Sequence, residues 1–146
     1  MQSVAHILKS KQNHAVYTIG PNATVLQALT LMAERRIGAL LVTENEKVVG
    51  ILSERDYARK VELRGKSAAG TPVHEIMTRD VMYVRPHQTN EECMALMTER
   101  RLRHLPVMDD GRLIGLISIG DLVADIISEQ QFTIQQLQHY IQGDRL

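Results

Sequence analysis

The sequence feature that most constrains the fold of this chain is an internal repeat. When the 146-residue sequence is shifted by 65 positions, residues 17–57 align with residues 82–122 without a gap. The identical pairs include Pro21 with Pro86, Gly50 with Gly115, Asp56 with Asp121, and the run 34–36 with 99–101. A repeat at one fixed offset predicts two copies of the same supersecondary unit, which bury a core together.

Hydrophobic patterns predict the same order of elements in both copies: strand, helix, strand, strand, helix. The strands are predicted at Val16–Ile19, Ala39–Thr43 and Val48–Leu52, and again at Val81–Val84, His104–Met108 and Leu113–Ile117. Each first helix follows a threonine, Thr24 or Thr89, that fits the capping-box pattern. The second helices are predicted to run from Ser53 to about Leu63 and from Ser118 to about Glu129.

This pattern divides the chain into four segments. They are the first repeat at 1–64, a linker at 65–72, the second repeat at 73–130 and a C-terminal helical tail at 131–146. The linker is small and polar, and we expect it to flex. Because residues 73–78 resemble residues 4–9, we also expect a short entry helix ahead of the first strand in each copy.

The tail is predicted to be a separate amphipathic helix. Thr133 and Gln136 fit a capping box, and Phe132 with Leu137 fits a hydrophobic staple. The apolar stripe of this helix, which ends before Gly143, must be covered either by its own module or by a second subunit. The sequence leaves these two alternatives open.

Composition excludes several classes of partner. The chain has 17 basic and 17 acidic residues, so it lacks the basic excess expected of a nucleic-acid-binding protein. It has no apolar run of the roughly 18 residues needed to cross a bilayer, and its N-terminus does not fit a signal peptide. Cys93 is the only cysteine, and the histidines have no metal-ligand spacing. We therefore expect a cytoplasmic protein with no membrane, metal or nucleic-acid partner.

Two stretches of each copy are closely matched: residues 101–107 (RLRHLPV) and 115–121 (GLISIGD) in the second copy, and 36–42 (RIGALLV) and 50–56 (GILSERD) in the first. These stretches carry a resemblance of the chain to the CBS domain family. It covers about Val4 to Ile127 and implies a stand-alone tandem CBS pair, a Bateman module. The implied fold class is α/β (α+β), with two pseudo-symmetric β-α-β-β-α repeats packed sheet to sheet and a C-terminal helix. The first copy has Leu41 where the second has Pro106, which implies that the two nucleotide clefts differ.

The motifs Ser53–Asp56 and Ser118–Asp121 have two interpretations. The spacing fits a capping box, in which the serine caps the helix and the aspartate bonds back to it. The same geometry suits a nucleotide, because a helix N-terminus attracts phosphate and a carboxylate can accept hydrogen bonds from both ribose hydroxyls. The spacing alone leaves both open. In the CBS family Ser/Thr-x-x-Asp is the nucleotide signature, so the resemblance implies that Asp56 and Asp121 hold ribose.

The candidate nucleotide-binding set extends beyond these motifs. Basic residues near the second strand of a copy, or inside the first motif, are candidates for binding phosphate: Arg36, Arg55, Arg101, Arg103 and His104. The resemblance implies this role for Arg103 and His104. The polar tips of Thr18 and Tyr83 are candidates for contacting the sugar, and Pro106 is also in the candidate set. An apolar adenine slot could be lined by Ile19, Ile37, Ala39 and Leu40 in one copy and by Val84, Leu102 and Leu105 in the other. Plain core packing is the alternative for the apolar positions.

The leading hypothesis is a non-catalytic regulatory module without a catalytic cofactor. The resemblance implies that it binds AMP, ADP, ATP or NAD(H) in clefts between the repeats and signals by a conformational or oligomeric change. The expected partners are the nucleotide, a second copy in a homodimer, and an unidentified effector protein. One alternative is a purely structural dimerisation module without ligand. Another is inosine monophosphate dehydrogenase, in which CBS pairs are inserted, but the chain is too short for a catalytic barrel of roughly 250 residues.

Overall fold

The computed structural model describes residues 2–11 and 14–142 and shows a mixed α/β protein with two small sheets. The helices are α1 Val4–Ser10, α2 Val25–Arg35, α3 Glu54–Tyr57, α4 Asn90–Arg100 and α5 Ile119–Gln142. The strands are β1 Thr18–Ile19, β2 Ala39–Glu44, β3 Lys47–Ser53, β4 His104–Asp109 and β5 Arg112–Ser118. A π-helical segment at Ala58–Glu62 follows α3, and a 3₁₀ turn forms at Val73–Glu75. The predicted mixed α/β class with a C-terminal helix is confirmed.

The chain folds into two compact units that do not follow the order of the sequence. The first-repeat unit is Ala15–Met82, and the second-repeat unit joins the described residues of 1–14 to those of 83–146. The described residues of 1–14, expected with the first repeat, therefore belong to the second-repeat unit, and residues 65–82 belong to the first-repeat unit. Similarity between the two entry segments does not reveal this exchange, because either segment fits either repeat.

The first-repeat unit has a three-stranded sheet in the order β1-β2-β3. β1 runs parallel to β2 and pairs Thr18 with Leu41, while β2 and β3 form an antiparallel hairpin. β1 has only two residues, so it is shorter than the predicted strand Val16–Ile19.

The second-repeat unit has a two-stranded sheet, β4-β5. The prediction of a strand at Val81–Val84 is wrong, because within the described residues only Val84 pairs, through a bridge to Val107. Val84 donates to the carbonyl of Pro106 and accepts from the amide of Met108, both at 2.9 Å. Pro106 has no N–H to extend this ladder, whereas Leu41 supplies one at the same place in the first copy.

The two hairpins otherwise repeat each other closely. Each has a register shift at the same place, after Val42 and after Val107. The turn residues with positive φ are Asn45, Glu46, Asp110 and Gly111. Two consecutive residues with positive φ form a type I′ turn, whose twist matches that of the flanking strands.

Each unit places one entry segment over a glycine of its hairpin. A Cβ on Gly50 would lie 2.5 Å from Met77 Sδ, and a Cβ on Gly115 would lie 2.6 Å from Leu8 Cδ2. Equivalent backbone hydrogen bonds hold both segments in place. In the first-repeat unit, Val73 N donates to Ala23 O at 2.8 Å and His74 N donates to Pro21 O at 3.0 Å. In the second-repeat unit, Val4 N donates to Gln88 O at 2.8 Å and Ala5 N donates to Pro86 O at 3.0 Å. Glycine is needed at both hairpin positions because a side chain would occupy space that the entry segment fills.

The segment 65–72, expected to flex, packs against the start of α2. Val25 donates to the carbonyl of Thr71 at 2.8 Å, and Leu26 donates to the carbonyl of Ala68 at 3.0 Å. Amides in the first turn of a helix have no partner within the helix. The segment therefore acts as part of the N-terminal cap of α2, and its residue Thr71 is buried.

The first helices begin as predicted, with one difference between the copies. Thr24 accepts from the amide of Gln27, and the Gln27 side chain accepts from the amide of Thr24, so the first capping box is confirmed. Thr89 accepts from the amide of Glu92 at 3.2 Å. The Glu92 carboxylate instead lies 3.4 Å from the Thr89 hydroxyl. Of the two capping-box bonds, the second copy therefore has the one that the threonine side chain accepts.

α5 is one continuous helix of 24 residues. The prediction of a new capping box at Thr133 is wrong, because its hydroxyl donates to the carbonyl of Glu129 one turn back. After Gly120 the described helix contains neither glycine nor proline, and its many glutamine and aliphatic residues favour continuation. The predicted tail extends to residue 146, and its residues 143–146, including Gly143, lie outside the described residues.

The two copies differ at one buried position at the start of their first helices. Val25 packs in the core of the first-repeat unit, whereas Asn90 takes the matching place in the second-repeat unit and is fully buried. Asn90 Nδ2 donates to the carbonyl of Leu122 and to Asp125 Oδ2, both at 2.9 Å. Cys93, on the same helix, is buried, and burial raises the pKa of its thiol to about 11.

Candidate functional site

Both Ser-x-x-Asp motifs form capping-box hydrogen bonds. Ser53 Oγ accepts from the amide of Asp56 at 3.2 Å, and Asp56 Oδ2 accepts from the amide of Ser53 at 2.9 Å. The corresponding distances for Ser118 and Asp121 are 3.1 Å and 2.8 Å. The motifs therefore have their structural role in both copies. A carboxylate has further lone pairs, so this role leaves room for a ligand.

The hairpin register places each motif beside the start of the middle strand. Ala39 pairs with Ser53, and His104 pairs with Ser118. The chain just before each strand also accepts from the first helical amide: Glu54 donates to Gly38 O at 3.1 Å and Ile119 donates to Arg103 O at 2.8 Å. Each helix N-terminus is therefore less open to phosphate than the sequence suggests, because its first and third amides already have partners.

Each aspartate also pairs with a lysine that sequence analysis missed. Lys60 Nζ lies 3.2 Å from Asp56 Oδ1, and Lys11 Nζ lies 2.9 Å from Asp121 Oδ2. The two carboxylates remain partly accessible, with 17% and 21% of their side chains exposed. The i,i+4 spacing of Asp56 and Lys60 could have indicated the first pair. No local signal connects Lys11 with Asp121, because they are distant in the chain.

Two candidate arginines have an unusual backbone. Arg36 and Arg101 are the C-cap residues that follow α2 and α4, and their backbone is left-handed, with φ values of 56° and 55°. Glycine is the usual residue in this position, since it has no Cβ to crowd the backbone. Both arginines are exposed, as are Arg55 and Arg103.

His104 is the half-buried member of the basic set. Burial lowers the pKa of its imidazole, and the charges of Lys11 and Arg103 lower it further, against the opposing effect of Asp121. At pH 7 the imidazole is therefore mainly neutral. It is suited to a neutral hydrogen bond near the second motif, and it is a poorer phosphate ligand than a charged residue would be.

The remaining candidates separate by burial. Ala39, Val84 and Pro106 are buried within their own units, and Ile19 and Ile37 pack against the core of the first-repeat unit. Thr18 and Tyr83 are exposed. The buried positions are explained by packing, and contact of any of these residues with a ligand remains a prediction.

The described ranges, 2–11 and 14–142, contain neither a candidate metal site nor a candidate membrane-spanning helix. No group of three or more His, Cys, Asp or Glu side chains in these ranges is placed to hold a metal ion. No helix there combines the length and the apolar character needed to cross a membrane.

Fold and site together define a chain of two similar α/β repeats, each with a Ser-x-x-Asp cap beside a β-hairpin. The CBS domain family model matches residues 5–63 and 73–128, so the chain belongs to the CBS domain family as a tandem pair.

Relatives and solved structures agree with this assignment. A candidate signal-transduction protein with CBS domains from Burkholderia ambifaria is 57% identical, with a TM-score of 0.86 over 91% of this chain and 99% of that one. The hexameric CBS-CP12 protein from bloom-forming cyanobacteria is 30% identical, with a TM-score of 0.74 over 84% of this chain and 70% of that one. The mitochondrial CBS domain-containing protein CBSX3 of Arabidopsis thaliana is 40% identical over 82% of this chain. This chain spans 61% of the length of CBSX3.

Proposed function

We propose that this chain is a non-catalytic regulatory module that binds an adenine nucleotide at its Ser-x-x-Asp motifs. The ligand classes are AMP, ADP, ATP and NAD(H), and the signal is a change of conformation or of oligomeric state. The main support is one arrangement that occurs twice: a partly exposed aspartate, fixed by a capping box, beside the first residue of a strand.

The carboxylates suit the ribose part of such a ligand. Each aspartate is held in place by an amide of its own motif, so little side-chain freedom is lost when a ligand binds. A carboxylate accepts hydrogen bonds only, which matches the two hydroxyl donors of a ribose diol. Deoxynucleotides and 2′-phosphorylated nucleotides should therefore bind more weakly.

The arginines support a ligand that bears phosphate. Arg36 and Arg101 hold their left-handed conformation in both copies although glycine would adopt it at lower cost. Retaining a strained, exposed arginine at two equivalent positions favours a role for the guanidinium, and arginine binds phosphate oxygens with two parallel hydrogen bonds.

A thermal-shift screen tests the proposal directly. AMP, ADP, ATP, NAD, NADH, NADP, S-adenosylmethionine and 2′-deoxy-AMP are added to the wild type and to Asp56→Ala and Asp121→Ala. A nucleotide at about 100 times its Kd should stabilise the protein by about 2.7 kcal/mol, and the variant of the working motif should lose this gain.

The control for this screen is Asp110→Ala, an exposed carboxylate in a hairpin turn. The variants are compared by their ligand-induced shifts, because removing Asp56 or Asp121 also weakens a helix cap by about 1 kcal/mol. Absence of any shift in folded, nucleotide-free wild type would favour the alternative, a structural dimerisation module whose motifs only cap helices.

The proposal includes a homodimer formed through α5. Apolar residues between 36% and 54% exposed follow one side of this helix: Ile119, Val123, Ile127, Ile134 and Leu137. A stripe of this kind normally marks an interface. We assign it to a second copy of the chain, because equal numbers of basic and acidic residues leave no net charge to keep two copies apart.

Light scattering after size exclusion tests the dimer. The double substitution Ile134→Glu with Leu137→Glu should give a monomer, while Gln136→Glu, on another side of α5, should stay dimeric. A wild type that is monomeric at tens of micromolar would contradict this part of the proposal. An effector protein and a cytoplasmic location also belong to the proposal as predictions from the sequence.

A further inference from the structure

The second motif is occupied by a side chain from the start of the chain. Lys11, the C-cap residue that follows α1, places its Nζ 2.9 Å from Asp121 Oδ2 and donates to the carbonyl of Leu116 at 2.7 Å. The lysine side chain is 24% exposed and the aspartate 21%. A pair shielded to this extent is screened less by water and salt than a surface ion pair.

The first motif has a lysine of a different origin. Lys60 comes one turn after Asp56 and is held by the carbonyl of Ile76 at 2.9 Å. It belongs to the same helical stretch as its motif, whereas Lys11 belongs to an entry segment. Displacing Lys60 would move a side chain of that helical stretch, which contacts the entry segment of its own unit through the carbonyl of Ile76. Displacing Lys11 would remove a contact that fastens the end of α1 to the second motif.

We infer that Lys11 is a built-in competitor at the second motif, which a ligand must displace from Asp121. Asp121 Oδ2 accepts from the amide of Ser118 at 2.8 Å and from Lys11 at 2.9 Å, which uses both of its lone pairs. A ribose diol that donates to both carboxylate oxygens needs one of these two positions. The Ser118 amide is fixed by the backbone at the start of α5, so the lysine ammonium is the group that moves.

Displacement would loosen only the end of the entry segment. The start of α1 remains bound through the amides of Val4 and Ala5, and Leu8 remains packed over Gly115. Occupancy of the second motif is thereby coupled to the order of residues 9–11. At the first motif, the link to an entry segment is the bond from Lys60 to the carbonyl of Ile76, and Lys60 itself lies outside that segment. This inference rests on the proposed function, because it requires a nucleotide that uses Asp121.

Calorimetric titration with AMP tests the competition. The Asp56→Ala background isolates the second motif, and Lys11→Met is compared there with Lys9→Met, which removes an exposed charge from the same helix. Lys11→Met should bind AMP at least about fivefold more tightly, the lower end of typical coupling between sites, and Lys9→Met should bind unchanged. Equal or weaker binding by Lys11→Met would overturn the inference, since weaker binding would mean that the lysine contacts the nucleotide.

Hydrogen exchange provides a second readout in the same proteins. AMP should speed exchange of the amides at 9–11 in the Asp56→Ala protein, and in Lys11→Met these amides should exchange fast with or without AMP. Slow exchange in Lys11→Met without AMP would also overturn the inference. If AMP binds and Asp121→Ala abolishes binding while Lys11→Met has no effect, only this inference fails. If none of the nucleotides in the screen binds any variant, the proposed function fails with it.

Discussion

The substitution Gly50→Ala tests how closely an entry segment approaches its hairpin. The new Cβ would lie 2.5 Å from Met77 Sδ, 2.9 Å from Met77 Cγ and 3.1 Å from the carbonyl oxygen of Thr78. Carbon atoms normally pack at about 3.5–4.0 Å, so both the side chain and the backbone must retreat. The backbone resists, because Ile51 and Thr78 exchange two hydrogen bonds of 2.9 Å at this place.

We expect Gly50→Ala to lower the free energy of unfolding by about 2–3 kcal/mol, the upper part of the range for overpacking. In a chain of this size that corresponds to a fall in Tm of about 5–10 °C. Urea denaturation followed by circular dichroism measures the change. Combining the substitution with Met77→Ala should reduce its cost only in part, since the Thr78 carbonyl remains in place.

The matching position in the other unit provides the comparison. At Gly115 the new Cβ would meet only the Leu8 side chain, at distances from 2.6 Å to Cδ2 to 3.4 Å to Cγ. Gly115→Ala should therefore lower the free energy of unfolding by about 1 kcal/mol, and combining it with Leu8→Ala should abolish that loss. Gly120→Ala is the control, because its nearest contact is Ser118 Oγ at 3.6 Å and alanine favours the helix by about 0.5–1 kcal/mol. If Gly50→Ala were as well tolerated as Gly120→Ala, the assigned position of the entry segment would be refuted.

Three further predictions concern single residues. Asn90→Asp places a second carboxylate at the 2.9 Å contact with Asp125, so it should lower the free energy of unfolding by about 2–3 kcal/mol at pH 7 and by less at pH 4. An equal loss of stability at both pH values would count against the contact. Glu46→Gly should raise the free energy of unfolding by up to about 1 kcal/mol, because Glu46 has a φ of 65° at the position where the second copy has Gly111. A lower free energy of unfolding, measured by urea denaturation, would contradict the conformation assigned to this turn. The pKa of His104 is lowered from 6.5 in the folded state, so the unfolded state takes up the proton first and stability should fall as pH drops below about 6.5. His104→Gln should flatten this part of the pH profile, and an unchanged profile would show that another group is responsible.

The elements that sequence analysis predicted well depend on local signals. The hairpins β2–β3 and β4–β5 follow from apolar runs that flank short polar turns. The helix starts at Thr24, Ser53 and Ser118 follow from the hydrogen bonds that a capping residue makes within its own first turn. Because such contacts span three or four residues, the pattern alone is enough to place them.

The features that sequence analysis missed depend on distant contacts or on the lack of a local stop. The exchange of entry segments is decided by packing over Gly50 and Gly115, which are far from the segments in sequence. The predicted break near Thr133 failed because a capping pattern is not sufficient to start a new helix inside an unbroken one. Pro106 could have indicated the shortened strand pairing of the second copy, because its missing N–H is a local signal. The strand prediction did not take this signal into account.

The candidate site divides in the same way. The aspartates and their capping serines were predictable from spacing, but the lysine beside Asp121 was not, since Lys11 reaches it only after the entry segments have exchanged. The second motif is therefore built by two distant parts of the chain, while the first motif and Lys60 are built by one. A ligand at the first motif competes with Lys60, which is close to Asp56 in the chain and also donates to the carbonyl of Ile76. At the second motif the competing lysine belongs to the entry segment itself, so we expect occupancy there to be coupled directly to the order of residues 9–11.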